Sequence, residues 1–310
     1  VLLNLEQSLM SASKEKIFFV FMLIAMMFWG GSWVSSKVLT LYASAYIIAF
    51  WRFLIVFIGV VILLFVFKIS IRFEKRIFKF ILLAGLCNAI YSFLLFAGLN
   101  QADAGKSGVL TTTMTPIFAY ILTHMYLCFK GKIHFLELPK NELFGLILAL
   151  ISGAFLLEIQ SFSTLLNPFN VFFLLAAFDW AVMSLFTQKI NLHPLAINFY
   201  VTLLALLCFS PCFFLQETYS VFDADWIFWL NLGFLAILST IVGTGIYYLG
   251  IQYLGAFRAN SFLLLVPLFA LLISYVFLDE IPSLKTIFGS VLAIFAIYLI
   301  NIYGKNLRKI

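Results

Sequence analysis

Pro116-Ile117-Phe118-Ala119 returns 151 residues later as Pro267-Leu268-Phe269-Ala270. The same offset lays Trp29 on Trp180. Past the fourth apolar run the first copy carries seven extra residues, and the register then resumes. Phe144-Gly145 aligns with Phe288-Gly289, and Leu148-Ala149 with Leu292-Ala293. Matches among Leu, Ile and Phe carry little weight in an apolar chain, whereas a Trp pair and a Pro pair at one spacing carry more. The chain reads as two copies of one unit.

What the unit is follows from its apolar runs. A helix needs about 20 apolar residues to span a bilayer. Such runs recur near 17–41, 45–67, 77–99, 105–129, 142–158, 168–190, 195–215, 226–252, 257–278 and 284–303. Short connections between them suit antiparallel packed neighbours. Each copy holds five runs, an odd number, so the second enters the membrane from the opposite face. That is an inverted-topology repeat, a build common among secondary transporters. The expected fold class is all-α integral membrane, with ten transmembrane helices as a 5+5 inverted-topology repeat. Residues 17–160 form the first five-helix unit and 168–303 the second, between short tails at 1–16 and 304–310.

Composition agrees. Of 310 residues, 64% are hydrophobic and 10% charged, with a mean hydropathy of +1.12. Soluble domains carry about 25% charge. No stretch has soluble-domain composition, which excludes a separate catalytic or nucleic-acid-binding module. The net charge of +6 is explained by its placement. With the N-terminus inside, fifteen Lys and Arg residues fall in cytoplasmic loops and tails, against Lys106 and Lys285 outside. This bias predicts that both termini are cytoplasmic, and the expected location is a bacterial inner membrane. The first run mimics a signal peptide, following Lys14 and Lys16 and preceding Ala43-Ser44-Ala45. Its core is longer than a signal's 7–15 residues, and the repeat needs it as helix 1.

Over almost its whole length the sequence resembles the drug/metabolite transporter superfamily, EamA-type branch. In the first half the resemblance rests on Phe28-Trp29-Gly30-Gly31-Ser32-Trp33-Val34-Ser35-Ser36-Lys37 and Ala49-Phe50-Trp51-Arg52-Phe53. In the second it rests on Gly255-Ala256-Phe257-Arg258-Ala259-Asn260-Ser261, Val266-Pro267-Leu268-Phe269-Ala270 and Leu278-Asp279-Glu280. It implies ten helices and a central cavity lined mainly by helices 1, 3, 4, 6, 8 and 9. Members move amino acids, nucleosides, sugars, drugs and other metabolites. The chain departs from the family pattern at Gly131-Lys132-Ile133, where a longer loop follows.

Candidate site residues are polar or aromatic groups at mid-membrane depth. Asp179 lies in the middle of the sixth run. A carboxylate there costs roughly 2.5–3.5 kcal/mol on insertion scales, so it should face a cavity or a partner. It is the candidate for binding a cationic group or a coupling proton. Trp29, Trp33, Ser36 and Lys37 share one helical face, and Lys37 is placed to receive an anion or to snorkel. Trp29 and Trp180 form symmetric walls able to stack a planar or cationic substrate. Asn88 and Tyr91 on helix 3 and Tyr247 on helix 8 add bulky polar groups. Arg52 keeps its charge. It reads as a gating or structural clamp, since the resemblance does not make helix 2 a main cavity helix. The threonines Thr111, Thr112, Thr113 and Thr115 read as interhelical glue.

Other chemistry is excluded by pattern. Gly105-Lys106-Ser107 lacks the first glycine of a P-loop, since position 100 is Asn. His124, His134 and His193 are scattered, and Cys87, Cys128, Cys208 and Cys212 lie in or beside apolar runs without metal-site spacing. No cofactor, metal or nucleic-acid partner is expected, and no enzyme activity. The sequence predicts a secondary transporter, an exporter or exchanger, of a small metabolite such as an amino acid. It would work by alternating access in the lipid bilayer, as monomer or homodimer, with protons or a counter-substrate as coupling partners. The competing reading is a flippase for a lipid or lipid-linked intermediate, for which Lys37 and Arg52 would hold a head-group phosphate.

Overall fold

The computed structural model describes residues 2–99, 104–131, 140–156, 168–278 and 283–300, and every element among them is helical. The N-terminal half contributes α1 (Leu2–Leu39), α2 (Ala45–Val66), α3 (Phe78–Leu99), α4 (Ala104–Phe129) and α5 (Lys140–Leu156). The C-terminal half opens with α6 (Pro168–Thr187) and α7 (Pro194–Phe209). A rod follows, built from α8 (Trp226–Gly233), a π-helical segment (Phe234–Thr244) and α9 (Gly245–Leu254). Then come α10 (Ala256–Ser261), a 3-10 turn (Phe262–Leu265), α11 (Val266–Leu278) and α12 (Leu284–Tyr298). α1 begins at Leu2, well before the apolar run that starts near residue 17.

The breaks follow from local chemistry. The rod turns into α10 at Gly255, whose φ of 84° is open to glycine without a Cβ penalty. Pro194 opens α7, where a missing N–H costs nothing. Asp225 caps α8, its Oδ1 accepting from the N–H groups of Ile227 and Phe228. Pro267 sits at the start of α11, whereas its repeat mate Pro116 lies inside α4.

Seven helices among the described residues are long and apolar enough to cross a bilayer: Ile17–Leu39, Ala45–Val66, Lys75–Leu99, Asn170–Thr187, Pro194–Phe214, Trp226–Leu254 and Ala256–Ile273. The difference from ten has physical causes. Glu142–Leu156 and Ile287–Tyr298 are apolar but shorter, and α4 is diluted by its threonines, Pro116 and His124. Large apolar side chains such as Ile62, Phe65, Phe129, Leu150 and Phe295 are exposed around the outside. A soluble protein seldom shows so much apolar surface, so the bundle is a multi-pass membrane protein.

Packing is paired in a regular way. α1 packs on the rod and on α11, while α6 packs on α3 and on α4. α2 meets α7, α4 meets α10 and α11, and α5 meets α12. The α5–α12 seam repeats this pairing atom by atom. A Cβ on Gly145 would meet Ile300 at 2.7 Å and the Ala296 carbonyl at 3.1 Å. A Cβ on Gly289 would meet Leu156 at 3.0 Å and the Ser152 carbonyl at 3.0 Å. Gly145, Ser152 and Leu156 are the repeat mates of Gly289, Ala296 and Ile300, so each helix seats its glycine against the equivalent residues of the other. Small residues permit such close approach where lipid supplies no hydrophobic drive.

Candidate functional site

The core between the two chain halves is aromatic. The rings of Trp29 and Trp180 meet edge to face, with centroids 5.3 Å apart and planes at 90°. Tyr91 stands 4.6 Å from Trp180, and Tyr247 stands 5.0 Å from Trp29. Each indole N–H is satisfied. Trp29 Nε1 donates to the Ser239 carbonyl at 3.0 Å, and Trp180 Nε1 donates to Tyr247 Oη at 3.0 Å. Tyr247 in turn donates to Asn260 Oδ1 at 2.6 Å and shares a hydrogen with Ser184 Oγ at 2.8 Å. This web fixes the rotamers of the wall.

Beside these rings lies a cavity of about 50 Å³, lined by Trp29, Ser32, Trp33 and Ser36 of α1, Arg52 of α2, Tyr91 of α3, Thr111, Thr112 and Thr115 of α4, Trp180 of α6, and Ser239 and Thr244 of the π segment. Water occupies about 30 Å³ in the liquid, and ligand sites run to about 300 Å³ or more. In this conformation the cavity has room for water but not for a metabolite.

The π segment is where the wall is unusual. Wide π turns are rare and cluster at functional positions. Here the carbonyls of Ser239 and Thr240 accept side-chain bonds from Trp29 and from Asn198 Nδ2, the latter at 3.2 Å. Thr240 Oγ1 accepts from Arg52 Nε at 3.1 Å and from Arg52 Nη2 at 2.9 Å, and donates to the Leu235 carbonyl at 2.8 Å. Gly243 lets Trp29 approach, since a Cβ there would lie 3.1 Å from the indole nitrogen. The α4 threonines give their hydroxyls to their own helix, Thr111 to Ser107, Thr112 to Gly108 and Thr115 to Thr111. They line the cavity nonetheless, which the sequence did not reveal.

The predicted site residues divide. Trp29, Trp33, Tyr91 and Trp180 line the cavity, and so does Arg52, although helix 2 was not expected there. Tyr247 stands behind the two indoles, fully buried. Asn88 is buried on α3 off the cavity wall. Lys37 is turned away from the aromatic stripe, with Nζ donating to the Leu99 carbonyl at 2.7 Å. There it caps the carboxyl end of α3, where a cation is favourable. Asp179 is not in the cavity wall either. It faces the α3 seam, with the Cys87 thiol as its hydrogen-bonding neighbour and Oδ2 buried without a partner. Asn260 and Thr240, the two polar anchors of the wall, were not singled out as site residues.

Two further features flank the cavity. Beside α4, α6, α9 and α10 a larger cleft of about 550 Å³ opens between Tyr126, Lys130, Phe186, Lys189, Leu254 and Arg258. Ser184, Tyr247 and Asn260 lie at heights between the two spaces. At the other end of the bundle the halves are clasped. Tyr42 donates to Asp225 Oδ1 at 2.9 Å, Tyr46 to Glu217 Oε2 at 3.2 Å, and Trp51 Nε1 to the Thr218 carbonyl at 2.9 Å. The Asp225 carboxylate, by accepting its hydrogen bond, holds the Tyr42 hydroxyl above its ordinary pKa of 10.

A helical bundle with an apolar exterior and an aromatic, hydroxyl-lined cavity between its halves has the build of a membrane transporter. The chain belongs to the EamA-like transporter family, which matches residues 16–158 and again 167–302. An uncharacterized transporter of Bacillus subtilis, YoaV, is 28% identical over 91% of this chain and 95% of its own length. A probable amino-acid metabolite efflux pump of Salmonella typhimurium is 30% identical over 56% of this chain and 61% of its own. Its Escherichia coli counterpart of the same description is 32% identical over 44% and 48%. A solved crystal structure superposes with a TM-score of 0.67, covering 94% of this chain and 99% of the other, at 16% identity, a likeness of fold alone. The protein is a multi-pass membrane transporter.

Proposed function

We propose that the chain is a secondary transporter exporting a small metabolite, such as an amino acid or related compound, by alternating access. The observation that carries this is the meeting of Trp29 and Trp180, repeat mates from opposite halves, at the wall of one central cavity. Two family matches whose starts lie 151 residues apart support a 5+5 inverted repeat of ten helices, as does the exchange of equivalent residues across α5 and α12. Units related in this way can swap conformations around a fixed site. The names of the partly matching relatives favour amino-acid-like cargo. With the Lys130 and Lys189 end cytoplasmic, by the positive-inside bias, the 550 Å³ cleft is the open inner mouth and the Tyr42–Asp225 clasp is the closed outer gate. The narrow cavity widens as the halves rock.

The reading is tested by comparing metabolites in the medium of deletion and overproducing cells, then screening those that change for thermal stabilisation of the purified protein. Compounds that accumulate outside on overproduction and stabilise the protein support export. An unchanged medium in both strains contradicts it.

Asp179 enters this scheme through its neighbour. It adjoins Trp180 in the chain, and a buried carboxylate with an unpaired oxygen is costly while charged. We assign it the coupling proton, taken up to neutralise the group when the inner mouth closes. Asp179→Asn is expected to fold, to keep binding the exported compound, and to lose the pH dependence of transport. Wild-type pH dependence in that variant would remove Asp179 from the mechanism.

A further inference from the structure

The charge of the cargo can be taken further, on the footing of the transport reading above. Two spaces in the bundle stand on its path, the central cavity and the inner cleft. The charged side chains lining them are Arg52 in the first and Lys130, Lys189 and Arg258 in the second. Among the described residues no carboxylate lines either space. Asp179, the acid nearest the cavity in sequence, has Cys87 of α3 as its hydrogen-bonding neighbour and is not part of the cavity lining. Of the four, Arg258 has the buried Glu142 as an electrostatic neighbour, so the positive groups that a cationic cargo would have to pass are Arg52, Lys130 and Lys189.

Arg52 is the sharper observation. Its Nε and Nη2 both donate to the single hydroxyl of Thr240, which sets the plane of the guanidinium beside Trp29 and Trp180. No carboxylate is paired with it among the described residues. A guanidinium does not shed its proton, and a buried charge calls for a counter-charge. The fork geometry suits a carboxylate, which it binds through two parallel N–H···O bonds. Around it stand indole and phenol rings and threonine methyls, which suit an apolar side chain. Lower in the bundle, Lys189 Nζ lies over the Tyr126 ring at 4.6 Å, which keeps the ammonium at the cleft wall.

We propose that the cargo is a small organic carboxylate with an apolar body, drawn into the inner cleft by Lys130 and Lys189 and bound in the cavity with its carboxylate on Arg52. An amino acid qualifies through its carboxylate. A simple amine does not. Of the two roles that the sequence leaves open for Asp179, a cationic group or a coupling proton, this proposal keeps the proton.

The test uses cells overproducing the full chain, with mass spectrometry of the medium, for the wild type, Arg52→Gln, Arg52→Lys and the double variant Lys130→Gln with Lys189→Gln. Compounds that accumulate with the wild type are expected to carry a carboxylate. Their export is expected to fall roughly tenfold or more in Arg52→Gln, the loss of a charge-assisted bond, with partial recovery in Arg52→Lys. Lys130 and Lys189 are exposed, so their double variant folds whatever happens at Arg52. In inside-out membrane vesicles, where the cleft faces the medium, it is expected to raise the apparent KM for the exported carboxylate several-fold, a change that shrinks as salt is added. Accumulation of amines or neutral compounds overturns the proposal and leaves the transport reading intact. So does an unchanged KM in the lysine double variant, or undiminished export by Arg52→Gln. A medium unaltered by overproduction overturns both.

Discussion

Trp180→Ala is expected to abolish transport and to lower stability by about 3–5 kcal/mol, the usual cost of truncating a buried large aromatic. Trp180 touches Trp29, Tyr91 and Tyr247, and its indole N–H bonds Tyr247. Truncation therefore opens a void and frees the hydroxyl that ties Ser184 and Asn260 together. Trp180→Phe separates the two losses. It keeps a ring against Trp29 and removes only the donor, so about 1 kcal/mol is expected to go, with reduced but measurable export. Thermal unfolding in detergent and export from overproducing cells check both variants. A Trp180→Ala protein with wild-type melting and export would mean that the aromatic web is not the wall of the pathway.

Gly30→Leu is expected to be as damaging, by overpacking and not by loss. A Cβ at Gly30 would lie 2.8 Å from Phe269 Cβ and 2.9 Å from the Ala270 nitrogen. The nitrogen belongs to the α11 backbone and cannot swing aside. Even Gly30→Ala should cost about 1–3 kcal/mol, and the larger side chain must prise α1 from α11, taking Trp29 and Trp33 with it. Gly233→Ala is the control. Nothing lies within 4 Å of a Cβ there, and the position is helical. It is expected to be neutral or slightly stabilising, in melting temperature and in export alike.

These contrasts indicate what was legible in the sequence and what was not. The helices fall close to the apolar runs, as with Ala45–Val66 for 45–67 and Trp226–Leu254 for 226–252. The repeat offset found Trp29 and Trp180, which do face each other. Rotation about each helix axis was not legible. In a helix apolar on nearly every side, periodicity does not tell the cavity face from the lipid face. Asp179 and Trp180 are one residue apart, about 100° around the helix, and Trp180 lines the cavity while Asp179 does not. The resemblance does not make helix 2 a main cavity helix, so Arg52 reads from the sequence as a clamp, and the role of Lys37 escapes for a different reason. Its partner is a backbone carbonyl at the end of α3, which no side-chain pattern announces. The π segment likewise leaves no mark that propensity could detect.

In the proposed alternating-access scheme the two halves separate at the Tyr42–Asp225 clasp when cargo leaves. The most direct measurement replaces the native cysteines, introduces Tyr42→Cys with Asp225→Cys, and joins the two exposed thiols with a short reducible bifunctional reagent. Export of the compound identified in the medium is then followed before joining, after joining and after reduction. Arrest on joining with recovery on reduction is the expected result. Export that continues at the uncrosslinked rate while the two positions are joined would contradict alternating access through this cavity.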